Sequence, residues 1–281
     1  MKKIDSISEM QKISEELRAS GKTIAFVPTM GFLHEGHLEL MREGNRRSDI
    51  LIASIFINPT QFGFSEDLDA YPRDMEGDFK KAKSAGTDFI FIPSVKEMYP
   101  KNFQTTINLK SIINHLCGLS RPGHFDGVAT VIAKFFNIMR PHIAIFDQKD
   151  FQQLAVIRCM VKDLNLDIEI IGHQTVREDD GLAMSSRNSY LNSKERISAL
   201  CLKKSLDLSI AMVNGGVTET LKIKSAIEKL ISTHSFTEID YITICDPETM
   251  EDINIIEGEA LLALAVYIGK TRLIDNCLLN A

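Results

Sequence analysis

Two histidines three residues apart are the residues of this chain best suited to contact phosphate. They lie in the segment PTMGFLHEGH, residues 28–37, which follows a short apolar run and precedes an amphipathic stretch. The pattern predicts a buried strand, a turn and then a helix, so that His34 and His37 face the same side of the helix start. Two imidazoles there can donate hydrogen bonds to phosphate oxygens that gain charge in a transition state.

The start of that helix is itself suited to an anion. Its first backbone N–H groups and the positive end of its dipole favour phosphate, and they favour the neutral form of both imidazoles. Gly31 and Gly36 allow the backbone to come close to a ligand. The alternative is that one or both histidines are loop or metal-binding residues with no phosphate role, although the HExxH spacing typical of a zinc site is absent.

Two glutamines and a lysine follow other predicted strands. Gln61 lies in NPTQFG, directly after the apolar run DILIASIFI, and its amide can bond a carboxylate or a hydroxyl group; the alternative is a polar turn. Lys149 lies in DQKD, after the run HIAIF, where its ammonium group can neutralise phosphate charge. Gln153, one turn into the next helix, is expected to face the same cleft as Gln61, whereas Asp150 is expected to cap that helix.

Two further clusters combine hydroxyl groups or an imidazole with a cation. Met184–Arg187, the string MSSR, offers two hydroxyls and a guanidinium that suit a triphosphate, and the alternative is a solvated loop. The charged segment Arg177–Gly181 before it is expected to be a flexible linker that lets this loop close over ATP. The string SRPGHF, residues 120–125, places Arg121 before a helix, where it can contact substrate or phosphate.

Apolar runs alternate with amphipathic stretches over the first 176 residues, which predicts an α/β fold with a doubly wound parallel sheet covered on both faces. The predicted strands are 23–28, 49–57, 88–93, 142–146 and 167–176, and the predicted helices are 38–47, 73–85, 128–139 and 150–164. Such sheets bind ligands beyond the carboxyl ends of their strands. The polar clusters described above are expected at that edge.

From about residue 180 the pattern changes to helices followed by strands, which predicts a smaller α+β domain. Its first element is expected to be a long helix capped by Ser193, with Glu195 in its first turn. A second helix is predicted at 221–232, and strands are predicted at 240–245, 261–268 and 273–279. The expected domains are therefore 1–176 and 177–281.

The composition argues against several classes of protein. The 281 residues carry 32 Lys and Arg against 38 Asp and Glu, a net charge of −6, and include no basic run, so a nucleic-acid-binding protein is not expected. The five cysteines form no CxxC pair, so reduced thiols in the cytosol are expected. No apolar stretch predicts a membrane span or a signal peptide. Two GKT strings lack the first glycine of a P-loop, since positions 16 and 264 are Glu and Leu.

The clusters, in this order, resemble those of the pantothenate synthetase family. The matching strings are PTMGFLHEGH, NPTQFG with EDLDAYPRD, RPGHFDGVATVIAKFFNI, QKDFQQL, TVREDDGLAMSSRNSYL, DYITICDPETM and GKTRLIDN. The resemblance implies a Rossmann-like nucleotidyltransferase fold, with ATP and pantoate bound by residues 1–176 and a smaller C-terminal domain acting as a lid. It implies that ATP and pantoate form pantoyl adenylate and pyrophosphate, and that the amine of β-alanine then displaces AMP to give pantothenate.

The resemblance also implies roles for particular residues. The catalytic residues would be His37 as proton donor, together with His34, Lys149 and Arg187. Gln61 would bind pantoate and β-alanine, and Gln153 would bind pantoate. The residues implied to contact ATP are Met30, Gly31, Phe32, Leu33, His34, Glu35, Gly36, His37, Asp147, Gln148, Lys149, Asp150, Val176, Met184, Ser185, Ser186 and Arg187. Mg²⁺ on the phosphates, without assigned protein ligands, a homodimer and a cytoplasmic location are implied as well.

Three positions depart from the family pattern. Asp147 stands where glycine is usual, Phe64 where proline is frequent, and Cys117 where glutamate is common. A side chain at position 147 is expected to crowd the ribose. Two other functions stay open at this point. A nucleotidyltransferase that stops at the nucleotidylated product would share the loop and the fold, and a nucleotide-binding regulatory module would keep the glycines without needing the reactive groups together.

Overall fold

The computed structural model describes residues 1–63 and 66–281. Phe64, one of the three departures from the family pattern, lies outside the described residues. The chain divides into two compact units. The first unit comprises residues 1–110, 121–148 and 153–174, and the second comprises residues 111–120, 149–152 and 175–281. Short segments near residues 115 and 150 therefore belong to the second unit.

Six strands of the first unit form a sheet in which all described pairs are parallel. In chain order they are β1 (Lys2–Ile4), β2 (Ile24–Thr29), β3 (Ile50–Ile55), β4 (Phe89–Phe91), β5 (Ile143–Asp147) and β6 (Glu169–His173). Their order across the sheet is β1-β4-β3-β2-β5-β6. The predicted doubly wound parallel sheet is confirmed, and β1 is an edge strand that the sequence pattern does not indicate.

Helices of the first unit cover both faces of this sheet. The helices up to residue 163 are α1 (Ile7–Ala19), α2 (Glu35–Arg47), α3 (Met75–Ser84), α4 (Val95–Met98), α5 (Cys117–Ser120, in the second unit), α6 (His124–Met139) and α7 (Phe151–Asp163). In β2, Ala25 and Val27 lie in a buried cluster with Met41 of α2, whereas Phe26 contacts Phe135 of α6 edge-to-face, with ring centroids 5.5 Å apart. Because successive strand residues face opposite sides, a strand covered on both faces is apolar throughout.

The boundary between β2 and β5 fixes where a ligand can bind. These strands are neighbours, and Ala25 pairs with Ile143. The chain winds from β2 to β3 and β4 on one side, and from β5 to β6 on the other. Loops on the two sides of such a switch point diverge and leave a crevice. Residues 30–34 follow β2 and Gln148 follows β5, so both segments lie at this edge.

The second unit contains a three-stranded antiparallel sheet and helices. These are α8 (Ser193–Ala199), α9 (Cys201–Asn214), α10 (Thr220–Ser232), β7 (Thr237–Cys245), β8 (Glu259–Ile268) and β9 (Thr271–Asn280), with strand order β7-β8-β9. Leu202 of α9, Ile223 of α10 and Leu262 of β8 share its buried core. The predicted small α+β region is confirmed. Among the described residues of the whole chain, no helix combines the length and the apolar content needed to cross a bilayer.

The helix expected to start at Ser193 differs from the prediction in two respects. Asn192 is the N-cap: its side chain accepts hydrogen bonds from the backbone N–H groups of Lys194 and Glu195 at 2.9 and 3.0 Å. The Glu195 carboxylate accepts from the Asn192 N–H in return, which completes a capping box. The helix then stops at Ala199, before α9 begins. Asn and Ser are comparable caps, so the sequence alone does not decide between adjacent positions.

Candidate active site

The two histidines lie at the N-terminus of α2. His34 is the N-cap residue, with extended backbone (φ −125°, ψ 174°), and His37 follows three residues later. The backbone N–H of His34 donates to Nδ1 of His37 at 3.3 Å, and the ring centroids are 4.0 Å apart. Since Nδ1 of His37 accepts this hydrogen bond, a neutral His37 carries its own proton on Nε2. The ring therefore offers an N–H donor at Nε2.

The backbone amides that precede α2 already have acceptors within the protein. The Gly31 N–H donates to Oγ1 of Thr29 at 3.2 Å, and the N–H groups of Phe32 and Leu33 donate to the carboxylate of Asp78 at 2.8 and 2.6 Å. Gly31 has φ of 86°, and a Cβ there would lie 3.0 Å from Oδ2 of Asp78, so this turn requires glycine. Amides in the first turn of a helix, in contrast, have no backbone acceptor one turn earlier and are oriented to bind an anion.

Gln61 lies beyond the carboxyl end of β3, in the short 3₁₀ helix Pro59–Gln61. Its amide nitrogen is 3.2 Å from the sulfur of Met30, so the structure brings Gln61 to the loop after β2. Its amide oxygen accepts a hydrogen bond from Nδ2 of Asn58 at 3.2 Å, and Oδ1 of Asn58 accepts one from the Tyr99 hydroxyl at 2.8 Å. Asn58 before a proline is typical of a helix cap, whereas nothing in the sequence indicates the role of Tyr99.

Arg121, His124 and Glu66 hold the backbone of Gln61. The Arg121 guanidinium pairs with both carboxylate oxygens of Glu66 and donates to Nε2 of His124 at 3.1 Å. His124 then carries its proton on Nδ1 and donates to the Gln61 carbonyl oxygen at 2.7 Å. Burial alone would raise the pKa of Glu66, but Arg121 outweighs this effect and holds the pKa below its ordinary value. Arg121, expected to contact a ligand, thus supports a predicted substrate-binding residue.

The predicted residues after β5 divide between the two units. Asp147 ends β5, paired in register with His173 of β6, and Gln148 follows it in the first unit. Gln153, in the first turn of α7, also belongs to the first unit. Asp147 is the last residue of β5, so the direction of its side chain is set by the strand.

Lys149 and Asp150 belong to the second unit. Nζ of Lys149 is 3.3 Å from Oδ2 of Asp150, and only 13% of the Lys149 side chain is exposed. The Lys149 carbonyl oxygen accepts a hydrogen bond from Nδ2 of Asn276 at 2.8 Å. The second unit therefore fixes both the backbone and the ammonium group of this lysine.

Val176 and Met184–Arg187 lie on one turn of the second unit. The Met184 N–H donates to the Val176 carbonyl oxygen at 2.9 Å. Ser185 caps a 3₁₀ helix, Ser186–Tyr190, because its hydroxyl accepts from the Arg187 N–H at 3.3 Å. The structure thus brings these five predicted ATP-binding residues onto a single short segment.

Three charged residues of the segment Arg177–Gly181, which the sequence predicts as a flexible linker, form ion pairs: Arg177, Glu178 and Asp180. Arg177 donates to both carboxylate oxygens of Asp275 in β9 at 2.7 and 2.9 Å, and the Asp275 side chain is 1% exposed. Arg196 pairs with Asp180 at 2.7 Å. The partners of these side chains are distant in sequence, so the sequence pattern does not indicate the ion pairs, and the flexibility of the segment stays a prediction.

A cavity of about 420 Å³ lies in the first unit beside the loop after β2, with Gly31 and Phe32 in its wall. None of the histidines or glutamines predicted to bind ligands lines it. Two of its polar residues, Asp74 and Ser94, already cap α3 and α4. Met30, Gly31 and Phe32 do line it, so the cavity borders the loop predicted to contact ATP, although neither histidine of the pair is in its wall.

The first unit places a histidine pair on a helix start at the switch point of a doubly wound sheet, with Gln61 beside the same loop. This fold and site define a nucleotide-binding α/β enzyme. The chain belongs to the pantoate–β-alanine ligase family, whose model matches residues 2–278. Its function is the ATP-dependent condensation of pantoate with β-alanine, which excludes the nucleotidyltransferase and regulatory alternatives.

Relatives of similar length support this assignment. The chain is 55% identical over 276 residues to the pantothenate synthetase of Syntrophus aciditrophicus, covering 98% of this chain and 96% of the relative. It is 56% identical over 280 residues to that of Desulfatibacillum aliphaticivorans, covering 100% of both chains.

Solved structures agree with the fold. The crystal structure of pantothenate synthetase from Thermus thermophilus matches with a TM-score of 0.93 at 38% identity, covering 99% of both chains. The pantoate–β-alanine ligase from Francisella tularensis, complexed with β-γ ATP and β-alanine, matches with a TM-score of 0.82 at 34% identity, covering 99% of this chain and 97% of the other.

Proposed function

We propose that the histidine pair and the start of α2 bind the phosphates of ATP, and that His37 is the proton donor when AMP is transferred to pantoate. The observation that carries this proposal is the hydrogen bond from the His34 N–H to Nδ1 of His37 at 3.3 Å. It places the proton of a neutral His37 on Nε2. Pyrophosphate oxygens gain charge as the bond to the α-phosphorus breaks, and a fixed donor stabilises that charge.

Lys149, Ser185, Ser186 and Arg187, which belong to the second unit, are also proposed to contact ATP. Lys149 supplies an ammonium group whose motion is restricted by burial, and Ser185, Ser186 and Arg187 supply two hydroxyls and a guanidinium from one turn. The other residues proposed to contact ATP are Met30, Gly31, Phe32, Leu33, Glu35, Gly36, Asp147, Gln148, Asp150, Val176 and Met184. The relative from Francisella tularensis is complexed with β-γ ATP and β-alanine, which supports ATP and β-alanine as ligands of this site.

Gln61 and Gln153 are proposed to bind the substrates. In the first step a carboxylate oxygen of pantoate attacks the α-phosphorus and pyrophosphate leaves. In the second step the amine of β-alanine attacks the acyl carbon and AMP leaves, so the enzyme itself forms no covalent bond. Gln61 suits both steps because two hydrogen bonds fix its position. Asn58 donates to its amide oxygen and His124 donates to its backbone carbonyl oxygen, while the residue remains half-buried.

Mg²⁺ is proposed to enter with ATP. No cluster of three His, Cys, Asp or Glu side chains suited to a metal occurs within residues 1–63 and 66–281. Mg²⁺ is commonly held by substrate phosphates with one or two carboxylates, so it is proposed to bind the phosphates of ATP without assigned protein ligands. A homodimer, a cytoplasmic location and a lid role for residues 177–281 are proposed from the resemblance to the family.

Exchange of labelled pyrophosphate into ATP tests the first step separately. Pantoate alone is expected to support exchange without β-alanine, because the adenylate forms before the amine reacts. β-Alanine alone is expected to support none. Absence of exchange with pantoate, together with exchange driven by another carboxylic acid, would contradict the substrate assignment.

A further inference from the structure

We propose that Asp78 is a positioning residue: its carboxylate fixes the turn at residues 31–33 and thereby sets where α2, His34 and His37 begin. The inference rests on the phosphate-binding role proposed for the histidines. Asp78 lies in α3, contacts no predicted ligand-binding side chain by a described hydrogen bond, and is absent from the residues that the sequence indicates as functional.

The contact between Asp78 and the turn is bidentate. Oδ2 accepts from the Phe32 N–H at 2.8 Å, and Oδ1 accepts from the Leu33 N–H at 2.6 Å. Asp78 is 1% exposed, so water does not replace these bonds readily. Two successive amides on one carboxylate determine both the position and the direction of the chain that enters α2.

The turn needs such an acceptor because its backbone is unfavourable for a side chain. Gly31 has φ of 86°, and Phe32 has φ of 51°, a left-handed conformation that a bulky residue rarely adopts. The cavity of about 420 Å³ borders both residues, so close packing does not hold the turn on that side. The carboxylate supplies the restraint that packing does not.

Lys81 makes a further contact with the turn from the same face of α3, and Asp78 and Lys81 together are called the clamp. It lies three residues after Asp78 in α3, and its Nζ donates to the Leu33 carbonyl oxygen at 2.7 Å. Burial raises the pKa of Asp78, while the two N–H donors and the Lys81 charge act in the opposite direction. Lys81 thus holds Leu33 directly and favours the ionised carboxylate that accepts both bonds.

The clamp also directs phosphate to the correct amides. Successive N–H groups in a left-handed turn form a concavity that binds anions, and a phosphate would compete for those of Phe32 and Leu33. Asp78 fills this position with a negative charge. ATP phosphates are consequently left with the helix start and the imidazoles, which is where the proposed chemistry takes place.

Asp78→Asn tests the proposal, since it keeps the size of the side chain but opposes one backbone N–H with an NH₂ group. Pantoate-dependent exchange of pyrophosphate into ATP is expected to lose about 100-fold in kcat, as expected for a small displacement of catalytic groups. Formation of pantothenate from chemically prepared pantoyl adenylate and β-alanine should change by less than about threefold, because that step bypasses transfer to the phosphates. Lys81→Met should show the same pattern to a smaller degree.

Glu76→Gln is the matched control, because it removes one carboxylate from an exposed position of the same helix. Asp78→Asn behaving like this control in both reactions would overturn the proposal. An equal loss in both reactions would overturn it too, since it would indicate general damage to the fold.

His37→Ala, measured in parallel, separates this proposal from the one on which it rests. If His37→Ala loses exchange and Asp78→Asn does not, the clamp is refuted and the role of His37 stands. If His37→Ala exchanges normally, the role of His37 is refuted. Loss of exchange in both variants, with the adenylate reaction retained in Asp78→Asn, supports the clamp.

Discussion

A Cβ added to Gly127 would lie 2.4 Å from the carbonyl oxygen of Thr60. Helix α6 therefore approaches the turn at Pro59–Gln61 as closely as it does because residue 127 has no side chain. The Gly127 carbonyl oxygen accepts a hydrogen bond from Nδ2 of Asn58 at 3.1 Å, and the same Nδ2 contacts the Gln61 amide oxygen. A glycine in α6 thus determines the position of a proposed substrate-binding side chain.

Gly127→Ala is expected to displace Gln61 and to raise KM for pantoate by about tenfold to 100-fold. Overpacking at this contact should lower the free energy of unfolding by about 1–3 kcal/mol. Steady-state kinetics and urea denaturation measure the two effects. Gly215→Ala is the control, because Gly215 has φ of −82° and its nearest neighbours are 3.3 Å from an added Cβ. An unchanged KM for pantoate in Gly127→Ala would contradict the prediction.

Local pattern is sufficient to predict the parts of the site that lie within one segment. It predicts His34 and His37 on a helix start because an apolar run, two glycines and an amphipathic stretch occur in succession. Gln61 and Lys149 are expected at strand ends for the same reason. The sheet order then confirms that β2 and β5 are neighbours, which the apolar runs alone do not specify.

The supporting contacts could not be predicted because they join residues far apart in sequence. Asp78 bonds to Phe32 across 46 positions, Tyr99 to Asn58 across 41, and the partners are set by how strands are ordered in the sheet. In the sequence, Arg177 is likewise one of several charged residues in a loop. Its role follows from the fold, because β9 places Asp275 beside it. Sequence pattern predicts an element, whereas the role of a buried polar residue depends on another element.

His37→Ala is expected to lower the rate of pyrophosphate exchange by about 10²- to 10⁴-fold while the protein stays folded, because a proton donor is lost whereas His37 belongs to neither described core cluster. Exchange with pantoate and circular dichroism measure the two properties. His234→Ala, two residues beyond the last residue of α10 in the second unit, is the control. Near-normal exchange in His37→Ala would remove its assigned role.

Glu66→Gln is expected to reduce the loss of unfolding free energy that occurs as the pH falls. The pKa of Glu66 is lower in the folded protein than its ordinary value, so its pairing with Arg121 stabilises the fold above the ordinary carboxyl pKa and this contribution is lost as pH falls through the folded-state pKa. The free energy of unfolding of the wild type should exceed that of the variant by about 1 kcal/mol at neutral pH. Denaturation between about pH 7 and pH 3 should show the difference shrinking toward acid.

Glu228→Gln, at an exposed position of α10, controls for the loss of one carboxylate. A difference between wild type and Glu66→Gln that stays constant with pH would contradict the assignment of the ion pair as the source of stability.

Arg177→Met is expected to destabilise the second unit strongly, because Asp275 would remain buried without its cation. Removing one partner of a buried ion pair typically costs about 3–5 kcal/mol, and denaturation by urea measures the loss. Lys12→Met, which breaks an exposed pair with Glu16, should change stability by less than about 1 kcal/mol. Since an apolar pair of similar volume can replace a buried ion pair, the double variant Arg177→Met/Asp275→Leu should recover much of the loss. If Arg177→Met were as stable as Lys12→Met, the turn that carries Met184–Arg187 would not depend on Asp275.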